Sequence, residues 1–245
     1  MPDFSEISNL IFTALKFVSE DRYDEAENII ESLVGDKEKV SEITEYDWQF
    51  VADIYLAMGK FELAKNAYIK AKNSIGIAFT LILLRELSEA SNVLSNADAS
   101  PAKNWFTFLL GLFMEKNTAE KWPTFLNIRH FLEFTVYYLL LSKNSYYIEL
   151  LLKKLNELLD INLDSEKLIG YAYLNSGTLD EAKTFLENAL MRNPVDGEIH
   201  FMLGKLYFMK NCLHEALNVL ESARLLLPEH LPIKELLEKT KKMCL

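Results

Sequence analysis

Residues 163–194 read LDSEKLIGYAYLNSGTLDEAKTFLENALMRNP, and residues 197–228 read GEIHFMLGKLYFMKNCLHEALNVLESARLLLP. The two stretches are one 34-residue unit written twice, because matching residues recur at a constant offset. The matches are Gly170 with Gly204, Tyr173 with Tyr207, Ala182 with Ala216, Ala189 with Ala223, and Pro194 with Pro228. Self-similarity at this period predicts stacked helix pairs, since one pair cannot bury its apolar face without a neighbour.

The matching small residues and prolines indicate where the helices meet and end. Gly170 and Gly204 lie on the first helix of each unit, where the lack of a side chain allows two helices to approach closely. Pro194 and Pro228 predict the ends of the second helices, because proline lacks an N–H and biases the preceding residue away from the helical region.

Both units resemble tetratricopeptide repeats. The resemblance implies an all-α fold, a right-handed superhelical solenoid of antiparallel helix pairs, whose first helices line a concave groove that binds a protein or peptide. Carried over position by position, it places eight partner-binding residues in that groove. These are Lys167, Tyr171, Leu174, Asn175, Phe201, Lys205, Phe208 and Met209.

Some members of that family grip a terminal carboxylate with Lys and Asn at the fifth and ninth positions of the unit. In this chain Asp53, Tyr171 and Lys205 hold the ninth position. We therefore expect no carboxylate clamp.

Weaker copies of the same template precede the two clear units. The spacing of template alanines falls from 34 to 26 residues between Ala64 and Ala90, which predicts a shortened repeat there. We expect one α-solenoid domain over residues 1–245. Its predicted parts are degenerate repeats at 7–34, 45–72 and 71–97, divergent central helices at 101–160, repeats at 163–196 and 197–230, and a capping helix at 231–245.

Local signals predict several helix boundaries. Thr44 with Asp47 and Thr178 with Glu181 have the spacing of capping boxes, in which each side chain accepts a backbone hydrogen bond from the other residue. Residues 35–42 are predicted to be a loop or a frayed helix end.

Prolines supply further start signals. Pro101 and Pro123 are predicted to be first-turn prolines. The central helices are predicted at residues 102–114, 123–142 and 146–159.

Two central stretches, Trp105 to Phe113 and Phe134 to Leu141, are apolar on nearly all sides. A helix of this kind is buried in the core or meets another molecule. Burial and a self-association face both remain open.

The carboxyl-terminal segment has one apolar stripe and one charged face. This pattern is typical of a capping helix, because the last repeat has no neighbour to cover its core. The stripe consists of Ile233, Leu236, Leu237, Thr240 and Met243.

The net charge of −10 argues against nucleic acid as a partner, since nucleic-acid binding depends on Lys and Arg that neutralise phosphates. Residues 1–60 hold 14 acidic and 5 basic residues, which gives either a solvated face or a patch that steers a basic partner. Uncharged stretches are no longer than Asn73 to Leu84, which is too short for a membrane span, so no membrane insertion is expected. Two cysteines and the lack of a secretory signal predict reduced thiols and a cytoplasmic location.

No group of residues with catalytic or metal-binding spacing stands out. The four histidines are scattered, and none has a His or Cys three or four residues away. We therefore predict no cofactor, no metal and no enzymatic activity. Two functions remain: an adaptor or chaperone-like module that binds a partner segment in its groove, and a structural subunit of a permanent homo- or hetero-oligomer.

Overall fold

The computed structural model describes residues 6–115, 123–157, 164–175 and 177–244. These residues form fifteen α-helices and no strand, which confirms the all-α prediction. In the first part of the chain the helices are α1 (Glu6–Ser19), α2 (Tyr23–Val34), α3 (Lys37–Glu42), α4 (Glu45–Ala57), α5 (Phe61–Lys70), α6 (Ser74–Leu83), α7 (Leu87–Ser95) and α8 (Pro101–Phe113). In the second part they are α9 (Phe125–Leu141), α10 (Ser145–Asn156), α11 (Ser165–Asn175), α12 (Leu179–Arg192), α13 (Gly197–Met209), α14 (Leu213–Leu226) and α15 (Leu231–Met243).

The contacts divide the chain into two compact units, unit 1 (Met1–Pro123) and unit 2 (Thr124–Leu245). In unit 1, α1 packs against α2, α4 against α5 and α6 against α7. In unit 2, α11 packs against α12, α13 against α14, and α15 against α14. Sequential helices therefore pair as the repeat predicts. The description of residues 1–245 as a single domain, with the repeat bounds given above, stays a prediction.

The close helix approach predicted at the two glycines is confirmed. A Cβ atom at Gly204 would lie 2.5 Å from Leu220 Cδ2, and one at Gly170 would lie 2.8 Å from Leu186 Cγ. Both leucines are fully buried. Each glycine therefore makes room for the leucine that fills the core of its helix pair.

The helix ends also agree with the prolines. α12 ends at Arg192, two residues before Pro194, and α14 ends at Leu226, two residues before Pro228. The backbone therefore leaves the second helix at the same point in both repeats.

One of the two predicted capping boxes is present. The hydroxyl of Thr44 accepts a hydrogen bond from the Asp47 N–H at 3.1 Å, and the Asp47 carboxylate accepts one from the Thr44 N–H at 3.2 Å. Asp47 is buried and also accepts a hydrogen bond from Ser8 Oγ at 2.9 Å. The cap of α4 is thus tied to α1.

The capping box predicted at Thr178 and Glu181 is wrong. The Thr178 side chain makes no capping hydrogen bond to α12. Its backbone ψ is 77°, whereas ψ is 165° at Thr44. Only the extended backbone aims the side-chain oxygen at the free N–H groups of the first turn.

Three other boundary predictions have different outcomes. Residues 37–42, predicted to be irregular, form α3, because the Asp36 carboxylate accepts hydrogen bonds from the N–H groups of Glu38 and Lys39. Pro101 is the first residue of α8, as predicted. Pro123 lies outside α9 and precedes its N-cap Thr124, so it is not a first-turn proline.

The carboxyl end of the helix predicted at 146–159 lies outside the described residues. The turn before α12 contains a glycine. Gly177 of that turn is described and has a φ of +80°, a conformation that glycine adopts at little cost.

The two apolar central stretches differ in burial. Trp105 and Leu109 of α8 are fully buried, so this stretch belongs to the core of unit 1. Phe134 and Leu141 of α9 are each about 40% exposed. Burial therefore explains only part of the second stretch.

The capping helix forms as α15. Ile233, Leu237 and Thr240 are buried, and Leu237 packs against Ala216 and Leu220 of α14. Met243 departs from the predicted stripe, since half of its surface is exposed at the end of the helix.

We expect Gly204→Leu to lower the free energy of unfolding by about 1–3 kcal/mol, because the added side chain must displace Leu220 from a filled core. Asn188→Leu, at an exposed position of α12, is the matched control and should stay within about 0.5 kcal/mol of the parent. Urea unfolding measures both variants. Equal stability of Gly204→Leu and the parent would contradict the close approach.

We expect Leu237→Ala to cost about 2–5 kcal/mol, because it leaves a cavity between α14 and α15. Leu231→Ala changes the same residue type on the same helix at an exposed position and should have little effect. Chemical unfolding that finds the same midpoint for both variants would mean that α15 is not a cap.

Candidate partner-binding groove

The centre of the candidate groove is a row of polar side chains that crosses three helices of unit 2. The ammonium of Lys205 on α13 donates a hydrogen bond to Asn175 Oδ1 on α11 at 3.2 Å. Asn175 Nδ2 in turn donates to the carboxylate of Glu133 on α9. Lys205 and Asn175 are two of the predicted groove residues, and the structure brings them together.

Glu133 was missed by the sequence analysis because α9 does not follow the repeat template. The signal in the sequence is that Glu133 is one of only two charged residues between 125 and 141, the other being Arg129. Burial raises the pKa of the Glu133 carboxyl, while the hydrogen bond from Asn175 and the charge of Lys205 act to lower it. The row is therefore partly shielded from water. Hydrogen bonds are stronger in such shielded surroundings than in water.

Two more predicted residues lie one helical turn from the row. Tyr171 precedes Asn175 by four residues and is partly exposed, and Met209 follows Lys205 by four and is exposed. Residues four apart share one face of a helix. Tyr171, Asn175, Lys205 and Met209 thus remain candidates for partner contact.

Leu174 is a correction to the predicted groove. Its side chain has no exposed surface in unit 2. It lies between Tyr173 and Asn175 on α11, whose inner face is filled by core residues. Its side chain therefore packs in the core and is not part of a ligand surface.

Lys167 is also not a free cation. Its ammonium pairs with Asp196 at 2.8 Å and with Glu198 at 2.6 Å, and only 13% of its side chain is exposed. Burial acts to lower the pKa of Lys167, but the two carboxylates outweigh it and raise the pKa. This cation ties α11 to the start of α13, which is a structural role.

Phe201 and Phe208 are shared with the capping helix. Both pack against the cluster of Ala216, Leu220 and Leu237, and the Phe201 ring meets the ring of His230 edge-on at 5.3 Å. Lys239 of α15 lies over the Phe208 ring at 5.1 Å. Both rings are partly buried, because the helix after the last repeat lies against this side of α13.

Asp53, which holds the ninth position of its repeat in unit 1 as Lys205 does in unit 2, has an internal function. The Asp53 carboxylate accepts hydrogen bonds from the Tyr68 hydroxyl at 2.5 Å and from Gln49 Nε2 at 3.1 Å. Asn73, the N-cap of α6, donates to Gln49 Oε1 at 2.5 Å. Burial raises the pKa of Asp53, while the hydrogen bonds from Tyr68 and Gln49 act to lower it. The network joins α4 and α5 to α6, the first helix of the shortened repeat.

Across the described ranges, no three His, Cys, Asp or Glu side chains are grouped so that they could hold a metal ion. No helix in the same ranges is long and apolar enough to cross a lipid bilayer.

Two solved structures are similar to the chain at low sequence identity. One is the crystal structure of the APC/C hetero-tetramer Cut9-Hcn1, with 13% identity and a TM-score of 0.38 over 94% of this chain. The chain spans 42% of the length of that protein. The other is the assembly chaperone of RpL4 (Acl4), residues 1–338, with 12% identity, a TM-score of 0.32 and coverage of 98% of this chain and 97% of that one. TM-scores this low carry no further conclusion.

No curated protein sequence matches the chain. The family model for the tetratricopeptide repeat matches residues 48–74, which contain most of α4 and all of α5, and residues 168–196, which contain most of α11 and all of α12. The tetratricopeptide-repeat model thus matches one stretch in each of the two compact units of this all-helical chain.

Proposed function

We propose that the chain is a non-catalytic scaffold that binds a segment of a partner protein in the groove of unit 2. The observation that carries this proposal is the row of Glu133, Asn175 and Lys205 across three neighbouring helices. A row of this kind presents hydrogen-bonding groups across three neighbouring helices, where an extended segment that crosses them would meet each group.

The Asn175 amide is the central group. It uses one N–H for Glu133 and one lone pair for Lys205, which leaves a second N–H and a second lone pair. A backbone amide of a bound segment offers the matching C=O and N–H. Tyr171 and Met209 add an aromatic and a flexible apolar side chain beside it, and both types are enriched at protein interfaces.

The tetratricopeptide repeats support an interaction scaffold, with an adaptor or a chaperone-like module as its specific forms. Exclusion of nucleic acid and a cytoplasmic location stay predictions from composition.

A second candidate function, a structural subunit of a permanent assembly, is favoured by exposed apolar side chains on α9 and α10. Phe134, Leu141 and Tyr146 are each exposed by 39% or more, and the rings of Phe134 and Tyr138 are 4.7 Å apart. Light scattering of the purified chain separates the scaffold from the structural subunit. A monomer excludes an obligate homo-oligomer, whereas a stable dimer that Phe134→Ser dissociates supports the structural subunit.

For the groove, we expect Asn175→Ala to weaken partner binding at least about tenfold, because the bound backbone loses both of its hydrogen bonds. Asn188→Ala, at an exposed position of α12, is the matched control. A photo-crosslinking residue at position 171 and one at position 188 report the contact directly in extracts of the native cell. Crosslinks from 188 and none from 171 would contradict the groove.

Phe201→Ala and Phe208→Ala should reduce stability by roughly 1–3 kcal/mol each, less than for a fully buried ring, because both rings support α15. Met209→Ala, beside them but exposed, should leave stability nearly unchanged. Thermal melting and partner affinity are measured together. Loss of affinity without loss of stability in the phenylalanine variants would return both rings to the groove.

A further inference from the structure

Unit 2 has a second distinctive surface, the apolar edge, at the carboxyl ends of its second helices. Met191 near the end of α12 is 82% exposed, and Leu225 near the end of α14 is 78% exposed. The two lie 34 residues apart, so the same position of the repeat is apolar and exposed in both copies. Val195 and Leu231, which follow α12 and begin α15, are exposed as well. Grouped exposed apolar side chains indicate a contact surface, whereas scattered ones need no explanation.

A cleft of about 480 Å³ opens beside Leu225, between α14 and α15. Leu225 and Leu237 contribute apolar side chains to its lining. Arg224, Lys234 and Lys241 bring three cations to the same lining, and Glu238 brings one carboxylate. The lining of the cleft therefore combines apolar surface with three cations and one carboxylate.

Among the described residues, the cations of the cleft pair with partly exposed or exposed carboxylates. Arg224 and Lys241 share the carboxylate of Glu221 at 2.8 and 2.9 Å. Lys234 pairs with Glu229 at 3.3 Å, and the Glu229 side chain is 93% exposed. Exposed ion pairs contribute about 0–1 kcal/mol, so carboxylates of a ligand can replace them at low cost.

We propose that the cleft and the apolar edge bind an acidic amphipathic segment of a partner protein. The apolar side chains of the segment pack on Leu225, and its carboxylates pair with Lys234 and Lys241. These two lysines are seven residues apart on one face of α15, about 10 Å along the helix at roughly 1.5 Å per residue. Carboxylates seven residues apart on a ligand helix match that distance.

Charge complementarity favours a protein segment over a lipid surface. Lys and Arg beside exposed leucines could also meet anionic headgroups. The chain as a whole carries a net charge of −10, which opposes its approach to an anionic membrane. A short acidic segment interacts mainly with the cations of the cleft, because salt screens the more distant charges. The site uses no residue of the candidate groove, so it goes beyond the function proposed above.

The test uses the full chain and a labelled 18-residue peptide with leucines at helical spacing and glutamates seven residues apart. Fluorescence anisotropy measures its affinity. We expect binding that weakens as salt is raised, and we expect Leu225→Ser and Lys241→Glu each to weaken it at least tenfold. Leu126→Ser, at a leucine of α9 that is 74% exposed, and Lys153→Glu, on the exposed face of α10, are the matched controls and should bind as the parent does.

Several results would overturn the proposal. Equal affinity for a peptide with lysines in place of the glutamates would remove the role of charge, and unchanged affinity of Leu225→Ser would remove the cleft. Binding to vesicles with 30% anionic lipid, without binding to the peptide, would assign the edge to a membrane. Self-association that Leu225→Ser abolishes, again without peptide binding, would assign it to a second copy of the chain. Asn175→Ala should leave peptide affinity unchanged, which separates this site from the groove.

Discussion

The contact of a leucine with a glycine across each helix pair is the constraint on which unit 2 depends. Leu220 occupies the space that a Cβ at Gly204 would need, and Leu186 does the same at Gly170. The two contacts are 34 residues apart and set the same crossing in both pairs. This crossing places α14 where α15 can cover the last core. It also places α11 and α13 so that Asn175 and Lys205 lie within hydrogen-bonding distance. In protein interiors, which are densely packed, a displaced leucine would shift all of these contacts together.

The fold could be predicted largely from sequence because the period, the small residues and the prolines are properties of the chain itself. Gly204 and Pro228 were informative because each limits the backbone in one direct way. Thr178 was misleading because a capping motif works only at an extended ψ, and the turn before α12 does not provide it. Pro123 was misleading for a similar reason, since a proline suits both the first turn and the residues just before a helix.

The groove was harder to predict because a template position gives the face of a helix and not its neighbour. Phe201 and Phe208 have the predicted face, but α15 contributes Leu237 and Lys239 to the same side. Lys167 meets the carboxylates of Asp196, the N-cap of α13, and of Glu198 in the first turn of α13, about 30 residues later in the chain. Such contacts between repeats have no signal in the spacing of either repeat alone.

The polar groups of the two units illustrate how one repeat position can acquire different roles. Asp53 holds the ninth position of its repeat in unit 1, where it accepts hydrogen bonds from Tyr68 and Gln49, and Asn73 in turn donates to Gln49. Lys205 holds the same repeat position in unit 2 and donates a hydrogen bond to the amide of Asn175, a group with further donor and acceptor capacity. A buried network with every group satisfied rigidifies a unit, whereas a partly exposed row with spare donors and acceptors can exchange them with a ligand. The groove and the apolar edge use different residues and different physics, hydrogen-bond geometry in one and burial with charge in the other. As proposed, the two sites would hold two segments of one partner, and linked contacts of this kind gain affinity together.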